Sequence, residues 1–250
     1  MPITDLLQPH ILILAPLIVF AAYVVFGISG FGSTLIAVPL LAHLFPLKFV
    51  IPFFVLIDCV GAFGMGLRLR ADVMRRELRM LLPFMALGML AGVWLLVRVR
   101  PELLLGGLGL FVVFFGATYI IKHGGGFPLP HWSGAPIGTC GGATSAVFGI
   151  GGPIYVFFLT GRGATPVQIR ATMPVIFMFT TLVRIALFTT AGLYSPAALA
   201  TAIALLPVMA LGVWSGHRLH LNLSRKTVIR VMGTLLVLSG LSLIVRAWSL

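Results

Sequence analysis

Two glycine-rich motifs interrupt otherwise apolar stretches of the chain, and their residue types suit the binding of an anion. The first motif covers residues 25–34 (VFGISGFGST), and the second covers residues 147–153 (VFGIGGP). Glycine allows backbone conformations closed to other residues and lets a ligand approach the main chain. A helix that restarts after such a motif exposes unpaired amides and a partial positive charge, which together attract a negatively charged group.

Two ionisable residues lie near the middle of apolar segments, where a charge is costly. Asp58 lies in the segment 49–67, and Arg184 lies in the segment 171–190. Residues of this kind usually face the interior of a helix bundle or a water-filled cavity. Arg184 could bind an anionic head group through two hydrogen bonds, and Asp58 could take up and release a proton during transport. Alternatively, the two side chains form a structural salt bridge, because a buried charge needs a partner.

The motifs and the arginine together define the predicted substrate site. The alternative for the glycines is close packing of membrane helices, which small residues also mediate. Because the glycine clusters occur twice with similar sequences, we favour a binding site over pure packing. Asp58 is the candidate for the proton-coupling residue. The predicted substrate-binding residues are Gly27, Ser29, Gly30, Gly32, Ser33, Thr34, Gly149, Gly151, Gly152, Pro153 and Arg184.

Other polar residues have simpler explanations. Lys48 and Arg170 lie near segment ends, where they could guard entrances or extend toward lipid headgroups. His43 is predicted to be a capping or interface residue, and His131 a surface residue. The histidines and the two cysteines lack the spacing of a metal site, so no metal or cofactor is expected.

Composition places these residues in a membrane. Of the 250 residues, 60% are hydrophobic and only 9% are charged, which is far from the composition of a soluble domain. The net charge of +12 is explained by basic cytoplasmic loops rather than by nucleic-acid binding. No lysine or arginine precedes Lys48, so a cleavable signal peptide is not expected.

The apolar pattern divides the chain into two series of segments. The first comprises a broken element at 11–44 and spans at about 49–67, 80–97 and 103–121. The glycine motif is expected to cut the first element into two halves, each short for a spanning helix. Residues 122–136, rich in glycine and proline, read as a linker. The second series, within 137–250, comprises a broken element at 137–160 and spans at about 171–190, 197–216 and 228–248.

The two series resemble each other, which indicates an internal duplication of 1–121 in 137–250. Gly27 matches Gly149 at an offset of 122, and a block at residues 81–88 matches 205–212 at an offset of 124. Gly92 and Gly216 match at the second offset.

Loop charges predict opposite orientations for the two halves. The loop 68–79 carries five arginines and should be cytoplasmic, whereas its counterpart 191–196 carries no charge. The loop 217–230 is also basic, and its counterpart 98–102, with two arginines and one acid, would be external. The predicted fold is therefore an all-α polytopic membrane protein with two inverted-topology repeats, each a broken or re-entrant helical element plus three transmembrane helices. The two glycine motifs would then converge near the midplane.

The motif at residues 27–32 (GISGFG), followed by Pro39, resembles the TauE/SafE family of sulfite exporters, also called the toluene sulfonate uptake permease family. The second motif and the duplicated four-segment halves carry the same resemblance over essentially the whole chain. The resemblance implies a multi-pass protein of the bacterial inner membrane that transports sulfite, organosulfonates or related anions, with no enzymatic activity.

The leading functional hypothesis is a secondary transporter that moves a small sulfur-containing anion by alternating access, with proton coupling. The chain has no P-loop motif, so it cannot draw on ATP by itself. A passive anion channel is the first alternative. A membrane-embedded cofactor enzyme is the second, although the intramembrane ligands are few and scattered.

Overall fold

The computed structural model describes residues 8–29, 32–66, 72–121, 128–219 and 225–249. These residues form α-helices, one short 3-10 helix at His131–Ser133, and turns, without any strand. The predicted all-α class is therefore confirmed. In chain order the α-helices are α1 Pro9–Ser29, α2 Ser33–Leu41, α3 Leu47–Gly66, α4 Arg75–Arg98, α5 Pro101–Ile121, α6 Gly134–Phe148, α7 Gly152–Gly161, α8 Pro166–Thr190, α9 Pro196–Leu219 and α10 Arg225–Ser249.

Within the described ranges, five helices are long and apolar enough to cross a membrane: α1, α4, α5, α8 and α9. This agrees with a polytopic membrane protein. The six predicted spans overlap α3, α4, α5, α8, α9 and α10, and residue 67 of the first span lies outside the described residues.

The first broken element differs from the two short halves expected. The helix α1 has 21 residues, enough to cross the hydrocarbon core, whereas α2 has only nine. The asymmetry arises because the helix continues through Gly27 and ends at Ser29. The second element divides more evenly, into 15 residues in α6 and ten in α7.

Residues 122–127 of the predicted linker 122–136 lie outside the described residues, and its described part ends earlier than expected. Its final residues already belong to α6, which begins at Gly134 and includes Pro136 in its first turn. Proline is tolerated there because the first amides of a helix have no intrahelical acceptor.

Contacts between Cα atoms divide the chain into two compact units. Both units combine segments of the two predicted repeats, so neither repeat forms a compact unit alone. The first unit comprises Met1–Phe54, Val99–His123 and Tyr194–Leu250, and the second comprises Val55–Arg98 and Gly124–Leu193.

In the first unit, α1 packs against α9 and α5 packs against α10. Glycines allow the backbones to approach: a Cβ on Gly212 would lie 2.8 Å from the Phe20 carbonyl oxygen, and one on Gly216 would overlap the Val24 carbonyl. Gly109 of α5 and Gly240 of α10 approach each other in the same way. Small residues at a helix crossing are the usual means of close packing inside a membrane.

The second unit repeats this packing with other segments. The helix α4 lies along α6, where a Cβ on Gly88 would overlap the carbonyl of Thr139. A Cβ on Gly92 would lie 2.6 Å from the Ala143 carbonyl oxygen. Gly88 and Gly92 are the repeat counterparts of Gly212 and Gly216. The matched glycines therefore have the same role in each unit. They let the first helix of a broken element, α1 or α6, pack closely against its neighbour.

Candidate functional site

The second glycine motif ends α6 with a left-handed turn. Gly149 has φ +73°, a conformation that favours glycine. Its N–H donates to the Ser145 carbonyl over 3.0 Å, and the Ile150 N–H donates to the Thr144 carbonyl over 3.4 Å. The turn therefore satisfies the Ser145 carbonyl, one of the four that the end of α6 leaves without an intrahelical partner.

The helix α7 begins three residues later. Gly151 caps it, and the N–H groups of Ile154 and Tyr155 donate back to the Gly151 carbonyl over 3.1 and 3.2 Å. Helix geometry leaves the Gly152 N–H without an intrahelical acceptor, and Pro153 has no N–H. Because Gly152 and Pro153 are buried, the positive end of the α7 dipole lies inside the second unit.

Gly151 has no room for a side chain. A Cβ there would overlap the Ser145 hydroxyl oxygen and lie 2.7 Å from the Tyr155 ring. Ser145 and Tyr155 share a hydrogen bond of 3.2 Å, and Tyr155 is fully buried. Tyr155 was not among the predicted site residues. A tyrosine two residues after the motif is nevertheless a sequence signal, since a buried hydroxyl needs a partner.

The structure brings Arg184 to this motif. Arg184 lies on α8, whose start is fixed by Pro166 and by a capping box between Thr165 and Gln168. Its side chain is 3% exposed, and its Nη1 donates to the Ser145 carbonyl over 3.2 Å. Its Nε donates to the Thr180 carbonyl of the same helix over 3.3 Å. The guanidinium therefore lies at the negative end of α6, where a cation is favourable.

The first motif is built differently. Gly27, the counterpart of Gly149, lies inside α1, where a Cβ would lie 2.6 Å from the Val213 carbonyl oxygen. Helix packing therefore accounts for glycine at this position without a ligand. Ser29 is the last residue of α1, and Gly30 lies outside the described residues. The left-handed residue of this motif is Gly32, with φ +97°.

The residues after Gly32 open α2. Gly32 caps the helix, Ser33 is 2% exposed and Thr34 is half-buried. A second buried helix start therefore lies in the first unit. Asp58, the predicted proton carrier, is half-buried on α3 in the second unit, which also holds Arg184.

A polar cluster that the sequence did not reveal holds both ends of the second broken element. Glu77, 4% exposed in the first turn of α4, accepts from Arg162 over 3.3 Å and contacts His131 Nδ1 at 3.1 Å. Arg162 also donates to the Leu129 carbonyl over 2.7 Å. His131 precedes α6 and Arg162 follows α7, so both ends of the α6–α7 pair meet at the start of α4. His131, predicted to be a surface residue, is therefore part of this cluster.

These features define a polytopic α-helical membrane protein. They are the helices of spanning length, the paired glycine contacts between helices and the arginine buried against a broken helix. A sequence model of the family described as sulfite exporter TauE/SafE matches residues 15–243. The chain belongs to this family, as the motifs predicted. Membership makes it a membrane transporter rather than an enzyme, and the family description points to sulfur-containing anions.

A curated relative supports the same assignment. The chain is 31% identical over 186 residues to the "Probable inner membrane transporter protein TsaS" of Comamonas testosteroni. The alignment covers 73% of this chain and 77% of the relative. No solved structure matches the chain significantly. The chain is accordingly a multi-pass inner membrane protein, as predicted.

Proposed function

We propose that the protein is a secondary transporter that moves a small sulfur-containing anion, such as sulfite or an organosulfonate, across the inner membrane. Transport proceeds by alternating access and is coupled to protons through Asp58. The observation that carries the proposal is the buried start of α7, together with the buried Arg184, which donates to the Ser145 carbonyl near the end of α6. A helix N-terminus and a guanidinium each attract an oxyanion, and low dielectric surroundings strengthen both attractions.

The substrate site of the proposal comprises both glycine motifs. At the second motif, the Gly152 N–H and the α7 dipole bind the anion, and Arg184 supplies the positive charge. Gly149 and Gly151 shape the turn that presents these groups. At the first motif, the start of α2 at Ser33 and Thr34 binds the anion in the same way. That the two motifs serve one pocket stays a prediction, and disulfide cross-linking of cysteines introduced at Thr34 and Pro153 tests it.

The inverted topology of the repeats is part of the same proposal. The matched glycine contacts of Gly88 and Gly212 and of Gly92 and Gly216 support the repeat. The opposite charge patterns of the matched loops 68–79 and 191–196 support its inversion. Membrane-impermeant thiol labelling of single cysteines at Arg76 and Gly192 tests it. We expect Arg76 to be labelled only from the cytoplasmic side and Gly192 only from the outside, and labelling of both from one side would contradict the inversion.

A binding screen tests the substrate class. A ligand that binds only the folded state raises the melting temperature. We expect sulfite, taurine, isethionate or sulfoacetate to stabilise the purified protein and short carboxylates to have no effect. Arg184→Gln should remove the shift, while Arg170→Gln, which changes an exposed arginine near the start of the same helix, should keep it. An unchanged shift in Arg184→Gln would remove this residue from the site.

A flux assay in vesicles tests proton coupling. An imposed proton gradient should drive uphill accumulation of the stabilising anion by the wild type. Asp58→Asn should abolish uphill accumulation, because the amide cannot carry a proton, and Asp72→Asn should preserve it, since Asp72 lies exposed before α4. Flux of the wild type that only dissipates the anion gradient would identify a passive channel. Uphill transport by Asp58→Asn would refute the coupling role.

A further inference from the structure

A cavity of about 260 Å³ lies in the first unit. It is formed by the turn between α2 and α3, the first residues of α5 and the last turns of α10. Its walls are mostly apolar and include Phe45, Leu47, Leu104 and Leu105. None of its described lining residues belongs to the substrate site proposed above, and Asp58 is not among them.

Two cations line the cavity, and no acidic residue is among its described lining residues. Arg246 Nη1 donates to the Ala42 carbonyl over 2.7 Å, which holds the guanidinium at the turn. Lys48 is exposed. Burial and the charge of Arg246 lower the pKa of the neighbouring His43, which disfavours the charged form of this histidine. The described lining therefore combines apolar walls with two positive charges.

The cavity lies where helices end. Lys48 is in the first turn of α3, Pro101 begins α5, and Arg246 is in the last turn of α10. Trp248, two residues beyond Arg246, is 90% exposed. Tryptophan and basic residues at the ends of spanning helices are typical of the headgroup level of a bilayer.

We propose that this cavity binds an anionic phospholipid. The phosphate lies between Lys48 and Arg246, and an acyl chain lies against Leu104 and Leu105. Charge complementarity selects an anionic lipid, because basic pockets between membrane helices bind such headgroups. The apolar walls select a lipid over a free anion, since a small inorganic ion leaves them without a partner.

Lipid binding also gives a reason for basic residues at this end of the helices. The loop 98–102 carries two arginines although it is predicted to be external, where the positive-inside bias predicts few. Arg100 precedes Pro101, which lines the cavity. An anionic lipid held at this position attracts such charges regardless of the side of the membrane.

Native mass spectrometry of the purified full-length protein tests the proposal with phosphatidylglycerol and phosphatidylethanolamine as probes. The wild type should retain phosphatidylglycerol in preference to phosphatidylethanolamine. A basic residue near an anionic lipid surface changes affinity about fivefold, so Lys48→Gln/Arg246→Gln should weaken retention about 25-fold. Arg75→Gln/Arg76→Gln, which removes the same charge at the exposed start of α4, should retain the lipid.

Two further measurements separate a lipid from other causes. Leu104→Trp keeps the charges but fills the cavity, so it should also lose phosphatidylglycerol. Lys48→Gln alone changes an exposed residue and should weaken retention about fivefold while the melting temperature stays unchanged. The proposal would be overturned if the wild type retained both lipids equally, or if Lys48→Gln/Arg246→Gln and the control Arg75→Gln/Arg76→Gln lost the lipid equally. It would also be overturned if phosphate or sulfite stabilised the wild type and only Lys48→Gln/Arg246→Gln lost this stabilisation. Lipid retention is measured without transport, so its outcome is independent of the proposed function.

Discussion

At the scale of single residues, the second motif depends on two glycines for different reasons. Gly149 needs a backbone conformation that other residues adopt at a cost, whereas Gly151 needs the space that a side chain would fill. Arg184 connects the motif to α8 through the Ser145 carbonyl. Substitutions at Gly149, at Gly151 and at Arg184 therefore test different features of the site, and their effects on stability and transport can be measured separately.

Gly149→Ala should lower the free energy of unfolding by about 1–2 kcal/mol, because alanine is strained in the left-handed region. Gly163→Ala is the matched control, since Gly163 has φ +77° in an exposed turn, and a Cβ added there would meet nothing within 4 Å. Thermal unfolding in detergent should show similar losses for both variants. Transport should fall only in Gly149→Ala, and equal transport by the two would contradict a functional role for this turn.

Gly151→Ala should destabilise the protein by about 1–3 kcal/mol through overpacking against Ser145 and Tyr155. Ser145→Ala removes the hydroxyl that the new methyl group would overlap, at a cost of about 1 kcal/mol for the lost hydrogen bond. The double variant should therefore be more stable than the sum of the two single effects predicts. Strict additivity in the double-mutant cycle would show that the overlap with Ser145 is not the cause.

At the scale of elements, the broken helices depend on the unbroken helices beside them. Glu77, His131 and Arg162 hold the ends of the α6–α7 pair at the start of α4. Further along, Gly88 and Gly92 let α4 approach the α6 backbone. The helix α4 therefore holds the ends of the α6–α7 pair through Glu77 and packs along α6 as far as Ala146, just before the second motif.

Gly88→Ala should destabilise the second unit by about 1–3 kcal/mol, because the new Cβ meets the backbone carbonyl of Thr139, which cannot rotate away. Gly106→Ala is the control, since its Cβ would lie 3.6 Å from Ala247, an ordinary contact. Melting temperatures in detergent should fall for the first variant and stay near the wild-type value for the second. Equal tolerance of both substitutions would contradict the α4–α6 contact.

At the scale of the whole molecule, the compact units and the repeats divide the chain differently. The first unit needs α9 and α10 from the second half, and the second unit needs α4 from the first half. Each half of the sequence therefore lacks the partners of its own broken element. Both halves must be present before either unit can bury its helices.

Residues 1–121 and 122–250 expressed separately should each fail to give a folded protein, and the two fragments expressed together should copurify. Protease resistance and size-exclusion chromatography of tagged fragments measure this. Gly92→Leu in the first fragment is the control, because it overfills the contact with α6 of the second fragment and should reduce copurification. A single fragment that folds alone would contradict the interleaved arrangement.

The sequence by itself determined the membrane class, the helical segments, the family and the two motifs. These features depend on apolar length, on loop charge and on helix-breaking glycines, which are local properties of the chain. It also identified the repeat-matched glycines Gly88 and Gly212, although it did not reveal their partners.

Only the tertiary structure decided which helices those glycines contact, that Gly27 lies within α1 while Gly149 ends α6, and that Arg184 reaches the Ser145 carbonyl. It also assembled Glu77, His131 and Arg162 from three separate parts of the chain. Apolar helices are nearly interchangeable in composition, so their pairing depends on the shape of the surfaces that meet in three dimensions. The arrangement of the site follows from that pairing, because each polar side chain finds its partner on a helix distant in sequence.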